Sequence, residues 1–524
     1  MDLSSAAMGR GKFRLSGACR FMTRAAISVR GCALGLYKSW PYIPAFTWLI
    51  LITILSCASS FNGNIPFDQR TGQPFVDATL VMPFWGSVIE PFSAVSHIIL
   101  GASNYQITII SSACWLFAGS AAVAFVAQRR RPGQSYHVKI FHILTFAWGG
   151  VILLAWYLVF VLLVPLPSSS LVLKDPAAIV ADLHSHTVAS HDAIISEQQS
   201  LAIHRDRGYG VVAWAEHYPA PWQSVISAAD RAKDLSPKVI PGLEISISID
   251  DRNYHLLLLR FGPDVPIETW VPKLIDDRAL RDFTAMIHAA HGVVVAVNFK
   301  LNEKDIDRLV ADGVDAFEIA NLGHPWMSPA LHTAMVKAQN SHGVGLIAAS
   351  DWHGWSGFFR TWTVLTPANP NRNPADEIVD ALWGHDAKRI VPVVSQVFYT
   401  PSIPQSIFSP FAEASRYGSQ LQPLQLASWW VWTLSLIWLA GRIRHVRLSP
   451  ARIFFAAISS VLGVGIMFRG LELVMMSYHG VPYAFPLKVG LVGCAFGLSA
   501  LFGAWWMVKN RARAILVAPD HTPA

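Results

Sequence analysis

Six apolar runs of roughly bilayer-spanning length punctuate the chain, near 43–61, 107–127, 139–165, 426–441, 453–470 and 485–508. About 20 apolar residues carry a helix across the hydrocarbon core, so each run predicts a span. The stretch 79–101, "TLVMPFWGSVIEPFSAVSHIILG", is apolar enough to enter a bilayer but predicts a re-entrant or interfacial helix. Its Glu90, Ser93 and His97 share one helical face at i, i+3 and i+7, a face expected to be wet at headgroup level. Between the third and fourth runs the pattern changes. Short β-branched or apolar strands at 178–183, 210–215, 238–249, 254–260, 293–297, 315–319 and 344–349 are interleaved with helical patterns at 194–207, 223–234, 277–290, 303–311 and 328–341. Such alternation predicts a mostly parallel sheet, open or closed into a barrel.

The chain therefore divides into a basic N-terminal stretch (1–42), a first membrane domain (43–167), an inserted α/β domain (171–405), a second membrane domain (426–510) and a tail (511–524). The fold class expected is a multi-pass α-helical membrane protein carrying an inserted α/β domain.

Charge supports this division. Residues 171–405 hold 19 basic and 27 acidic side chains, leaving 22 basic and 7 acidic for the flanks. The basic balance thus belongs to membrane-flanking segments, and nucleic acid is not an expected partner. With the N-terminus in the cytoplasm, six spans put Arg129–Arg131, Arg442, Arg444, Arg447, Arg452, Lys509, Arg511 and Arg513 all inside. That arrangement makes the inserted domain extracytoplasmic (periplasmic) in a cell-membrane protein. None of the five cysteines (Cys19, Cys32, Cys57, Cys114, Cys494) lies in that domain, which fits export. Oligomeric state is not encoded in any of these patterns.

Chemistry concentrates at strand ends, where α/β barrels build their sites. "ADLHSHTVASHD" (181–192) ends the first strand with His184 and His186 two apart, so both point the same way, and His191 follows. His217 ends the second strand, Glu244 lies in the third, His255 opens the fourth, and Asp351 and His353 follow the seventh. Eight ligand-type residues so placed predict a metal site. Imidazole with carboxylate suits zinc, manganese or iron, and more than four ligands imply more than one ion. Asp192 competes with His191 as a ligand, and Asn298 and His324 lie nearby at the ends of other strands. Lys300 and Arg360 are rim cations placed to meet phosphate.

"DLHSHT…SHD", "EH", "PGLE", a histidine before a leucine run, and "SDWH", in this order, resemble the polymerase and histidinol phosphatase (PHP) family over about 178–400. The resemblance implies a distorted seven-stranded β/α barrel and a metal-dependent phosphoesterase. It implies that His184, His186, Glu244 and Asp351 hold one metal, His191, His217 and His353 a second, and Glu244 and His255 a third. Two positions depart from the family pattern. Glu216-His217 stands where Asp-His is usual. Asn298 stands where a histidine is usual, which leaves two or three divalent ions open.

The function expected is hydrolysis of a phosphoester at the outer membrane face by metal-activated water, with Glu244, Asp351, Lys300 and Arg360 as catalytic residues. A tethered barrel beside the bilayer makes a lipid-linked substrate natural. Two alternatives stand beside it. One is a metal-binding sensor with a degenerate site. The other is a transporter or membrane hydrolase using Glu90, His97, Arg469, Glu472 and His479, with the barrel accessory.

Overall fold

The computed structural model describes residues 43–59, 64–102, 104–129, 135–324, 327–357, 359–397, 402–442, 450–478 and 483–516. The basic stretch 1–42, Arg130, Arg131, Arg444, Arg447, His479 and the end of the tail lie outside the described residues.

The chain opens with helix α1 (Ile43–Ala58), strands β1 (Phe67–Asp68) and β2 (Ala78–Val81), short helices α2 (Phe84–Val88) and α3 (Glu90–Ile99), and long helices α4 (Tyr105–Arg129) and α5 (Tyr136–Leu163). The inserted domain follows. Its elements are β3 (Ser170–Leu173), β4 (Ile179–Ser185), α6 (Glu197–Asp206), β5 (Val211–His217), α7 (Trp222–Arg231), β6 (Lys238–Ile249), β7 (Arg252–Leu259), α8 (Asp277–Ala289), β8 (Val293–Ala296), α9 (Glu303–Ala311), β9 (Ala316–Asn321), α10 (Pro329–His342), β10 (Gly345–Ala349), β11 (Thr361–Leu365), α11 (Pro374–Trp383) and β12 (Ile390–Val394). The chain closes with α12 (Ile403–Gln420), α13 (Pro423–Arg442), α14 (Pro450–Tyr478) and α15 (Phe485–Leu516).

Ten strands form one mixed sheet in the order β1-β12-β11-β4-β5-β6-β7-β8-β9-β10, rather than the expected seven-stranded barrel. The strands β4–β5–β6 and β8–β9–β10 are parallel, and the others pair antiparallel. The hairpin β6–β7 explains part of the difference. Asp250 and Asp251 both take positive φ, 48° and 61°, a two-residue turn that reverses the chain without a crossover helix. The sheet curls until β10 meets β11, where the Thr363 hydroxyl accepts from Ala348 N and donates to Ala348 O. Both faces are covered, so strands β4, β8 and β10 are buried along their whole length. N-terminal caps start two of the helices. Ser196 and Asn302 each accept from the first turn of their helix while Gln199 and Asp305 reach back.

Among the described residues, four helices are long and apolar enough to cross a membrane: Tyr105–Val126, Tyr136–Leu163, Ile453–Tyr478 and Phe485–Met507. Two of the six expected spans are not among them. Helix α1 has 16 residues, and α13 spends its first turn on polar contacts, with Gln425 buried against Glu90. Instead α1, α12 and α13 pack together through Leu49, Ile52, Tyr417, Leu421 and Leu426. Helices α14 and α15 approach closely: a Cβ on Gly490 would lie 2.6 Å from Gly470 O, contact that small residues permit.

The segment 79–101 is no single helix. β2, α2 and α3 fill it, and the polar face of α3 is buried rather than wet. Glu90 accepts from Tyr417 Oη (2.8 Å) and Gln425 Nε2 (2.8 Å), and its Oε1 lies 3.0 Å from His97 Nδ1. Ser93 turns its hydroxyl to Glu90 O within the helix.

The α/β domain rests directly on the long apolar helices. Arg469 of α14 donates to Leu163 O (3.2 Å) and Ile194 O (3.0 Å), and Ser356 N donates to Leu162 O (2.7 Å). Arg207 donates to Leu166 O (2.8 Å), and Gln199 pairs with Glu472 of α14.

Candidate metal centre

The backbone sets the ligands before any side chain is considered. At the end of β4, Asp351 N donates to His184 O and His186 N to Trp352 O, both at 2.8 Å. This short parallel ladder presents His184 and His186 opposite Asp351 and His353. In the β5–β6 register His217 lies beside Glu244, and in β6–β7 Ser246 lies beside His255. Asp351 takes φ 50°, and Gly323 passes so close to its carboxylate that a Cβ there would collide.

Four donor atoms converge. His184 Nε2 lies 3.0 Å from His186 Nε2, 3.1 Å from Glu244 Oε2 and 3.4 Å from Asp351 Oδ1. His186 Nε2 lies 3.2 Å from the same Asp351 oxygen and 3.4 Å from the same Glu244 oxygen. A tetrahedral ion with bonds near 2.0–2.1 Å would have donor–donor edges of about 3.3 Å. The residues present therefore fit a divalent cation. Beside them His186, His217 and His353 form a second group. His217 Nε2 lies 3.2 Å from His353 Nε2, while His217 Nδ1 lies 3.2 Å from Glu244 Oε2. Glu244 thus touches both groups.

The structure brings Asp192 against the second group, with the His191 ring 5.0 Å from that of His217. Asp192 oxygens lie 3.4 Å from His217 Nε2 and 3.5 Å from His353 Nε2. His191 is 58% exposed at the rim, 3.9 Å from Asp192, with its ring 6.3 Å from that of Tyr483. His255 Nδ1 lies 2.6 Å from Glu244 Oε1. Asn298 is buried and gives its amide to His324 O (3.2 Å), and His324 Nε2 stands 3.8 Å from Asp351. Phe299 fills the space between the His255 and His324 rings. Lys300 is exposed at this rim, with Nζ 4.8 Å from the Phe299 ring. Arg360 points elsewhere: it is buried and donates to Gly101 O and Ala102 O past the end of α3.

An outer layer orients the imidazoles. His184 Nδ1 meets Glu318 at 2.7 Å, His186 Nδ1 meets Ser190 Oγ at 3.1 Å, and His353 Nδ1 meets Asp351 O at 2.9 Å. Each contact turns Nε2 inward, as metal-ligating histidines require. Glu216 accepts from Thr187 and Ser190, which fixes the loop after β4. Asp182 accepts from Ser350 N (3.0 Å) and lies 3.1 Å from His204 Nε2, tying β4 to β10. Glu318, Glu216 and Asp182 were not among the expected site residues. For Glu318 the signal was a lone carboxylate in the apolar strand "AFEIAN".

Electrostatics follows burial and partners. Burial opposes charge on His184, but Glu318, Asp351 and Glu244 outweigh it and raise its pKa well above the ordinary value. His186 is driven well below, by burial and then His353. Burial opposes ionisation of Glu244 and Asp351 too, yet His184 holds both carboxyls low. Burial raises Glu318 and lifts Glu216 to about 7 against its hydrogen bonds.

No family model and no curated protein matches the chain. Among solved structures, it is similar to a protein described as a metal-dependent phosphoesterase from Bifidobacterium adolescentis (18% identity, 38% of this chain and 96% of that one, TM-score 0.29). It is similar also to an amidohydrolase from Chromobacterium violaceum solved with sulfate and no metal (17%, 33% and 87%, TM-score 0.27). A third is PsfC from Pseudomonas syringae (13%, 49% and 99%, TM-score 0.30). Likeness this slight carries no functional weight, and the ligand geometry has to carry it alone.

Proposed function

We propose that this protein is a membrane-anchored, metal-dependent phosphoesterase with its α/β domain at the outer membrane face. The observation that carries the reading is the convergence of His184, His186, Glu244 and Asp351 on one point, with His217, His353 and Asp192 alongside. A divalent ion held there supplies Lewis acidity and a water of lowered pKa. Glu244 touches both ligand groups through one oxygen, so these side chains would hold two ions. Glu318 holds the His184 ring by its Nδ1 proton. Asp192 is kept low, at about 2, by His217 and His353 despite partial burial, so its carboxylate is charged at neutral pH. Lys300 is the rim cation for phosphoryl oxygens, since Arg360 is engaged with Gly101 O and Ala102 O past the end of α3.

Two helix directions support the orientation. Helices α4 and α15 start beside the α/β domain or the Glu90 cluster and carry Arg129 and Lys509 in their far halves. Basic ends on one side mark the cytoplasm.

The test is turnover of an aryl phosphate monoester and the matching diester by the purified full-length protein with manganese or zinc. Turnover is expected with metal and not in the His184→Ala/His186→Ala variant. Bound metal with no turnover of either ester would refute the reading and favour a sensor. An alkaline phosphatase fused after Lys300 should be active in cells, and an inactive fusion would reverse the orientation.

A further inference from the structure

The membrane helices carry a groove that continues from the metal loops. It encloses about 250 Å3 between α5 and α15 and is lined by Val159, Leu162, Trp355, Lys488, Val492 and Phe496 among others. Trp355 is its roof. That residue follows His353 by two positions, packs edge-on against Phe485 at 6.0 Å, and shares a cluster with Ile194. Ile194 N in turn donates to His353 O (2.8 Å). The loops that carry the metal ligands are thus laid on the head of the groove. Below Trp355 the lining is apolar, and both flanking helices are long and apolar enough to cross a membrane. The cation in the lining is Lys488, in the first turn of α15 at the domain end, where a phosphate would sit.

We propose that this groove seats a hydrocarbon chain of a membrane phospholipid whose phosphoester reaches the metal centre, with Lys488 meeting the phosphate on its way. The proposal rests on the phosphoesterase reading and narrows its substrate class to lipids. Three features point to that occupant: an apolar channel at bilayer depth, one cation at its polar end, and a direct structural path from its roof to His353. Tyr483, whose ring faces His191, places the start of α15 at the rim of the same site.

The experiment uses the full-length protein in phosphatidylcholine vesicles containing a phosphatidic acid with a photoreactive diazirine in its acyl chain. Crosslinks should concentrate on 159–163 and 488–496 and be competed by unlabelled phosphatidic acid but not by diacylglycerol. Val492→Trp fills the groove from its exposed side, and Lys488→Glu reverses its charge. Each should lower labelling there, whereas Val123→Trp, on the lipid face of α4, should leave it unchanged. With metal, the ratio of dioleoyl to dibutanoyl phosphatidic acid hydrolysis should fall about tenfold in Val492→Trp, since each buried methylene confers roughly a fourfold preference. Uniform labelling of all lipid-facing helices, or an unchanged ratio, would overturn the groove. Loss of all hydrolysis by the unmutated protein, with competed crosslinks intact, would instead overturn the phosphoesterase reading.

Discussion

Two buried carboxylates, Glu244 and Glu90, are each surrounded by polar side chains, and only one of the two surroundings is self-sufficient. Glu90 meets Tyr417 Oη, Gln425 Nε2 and His97 Nδ1, three groups able to donate. Each of its two oxygens meets a donor, and the cluster is complete as it stands. Around Glu244 the balance is reversed. The outward nitrogens of His184 and His186 are taken by Glu318 and Ser190, so their inward Nε2 atoms face each other at 3.0 Å beside two carboxylate oxygens. Metal-free, that contact needs a second proton on His184, whose burial is outweighed by Glu318, Asp351 and Glu244 so that its pKa is raised well above the ordinary value; a bound cation would take that proton's place. Convergence of histidine and carboxylate is thus a poor criterion for a metal centre, and ring nitrogens turned against each other are a better one.

The comparison can be broken at either end. The largest effect expected is from His184→Ala or Asp351→Ala. Metal retention and hydrolysis should fall more than about a hundredfold, beyond what outer partners usually cost. Elemental analysis and rates on the same samples would check it. Glu318→Gln keeps the shape and removes the charge behind His184. It should weaken metal affinity by about 10- to 100-fold, read by competition with a chelator. Glu90→Gln should leave metal content unchanged and lower thermal stability in detergent, by about 1.5–3 kcal/mol for a charge-assisted hydrogen bond. If it removes metal instead, the two clusters are coupled and the contrast fails.

The smallest effect concerns pH. Glu216 has its folded pKa raised to about 7 by burial, so between the ordinary carboxyl value and 7 the folded chain holds a proton that the unfolded chain has lost. This group's contribution therefore falls as pH rises through that window, with a slope of at most about 1.4 kcal/mol per pH unit. Unfolding of the metal-free protein from pH 5 to 7 should show it, and Glu216→Gln should flatten it.

Much of the fold was legible because hydropathy period and burial agree. The strand expected at 238–249 matches β6, and the helix at 303–311 matches α9. The sheet's extra strands were not. β12 contains Pro392, which reads as a breaker, yet in the β12–β11 pair Pro392 simply faces Thr363 and offers its carbonyl to Gln69. The convergence of His184, His186, Glu244 and Asp351 was legible from spacing. Side-chain direction was not: Arg360 lies nine residues past Asp351 in sequence but reaches Gly101 O past the end of α3, and Asp192 sets its oxygens against His217 and His353. The wet face expected for Glu90, Ser93 and His97 failed because its partners, Tyr417 and Gln425, lie more than 300 residues away.

Arg469 gives the fold a last consequence. This buried guanidinium on the long apolar helix α14 grips Ile194 O, at the end of the loop that carries His191 and Asp192. That helix is therefore part of the frame of the ligand cluster and not a mere tether. The segment 171–405 cut out alone would lose a contact that positions the Asp192 loop.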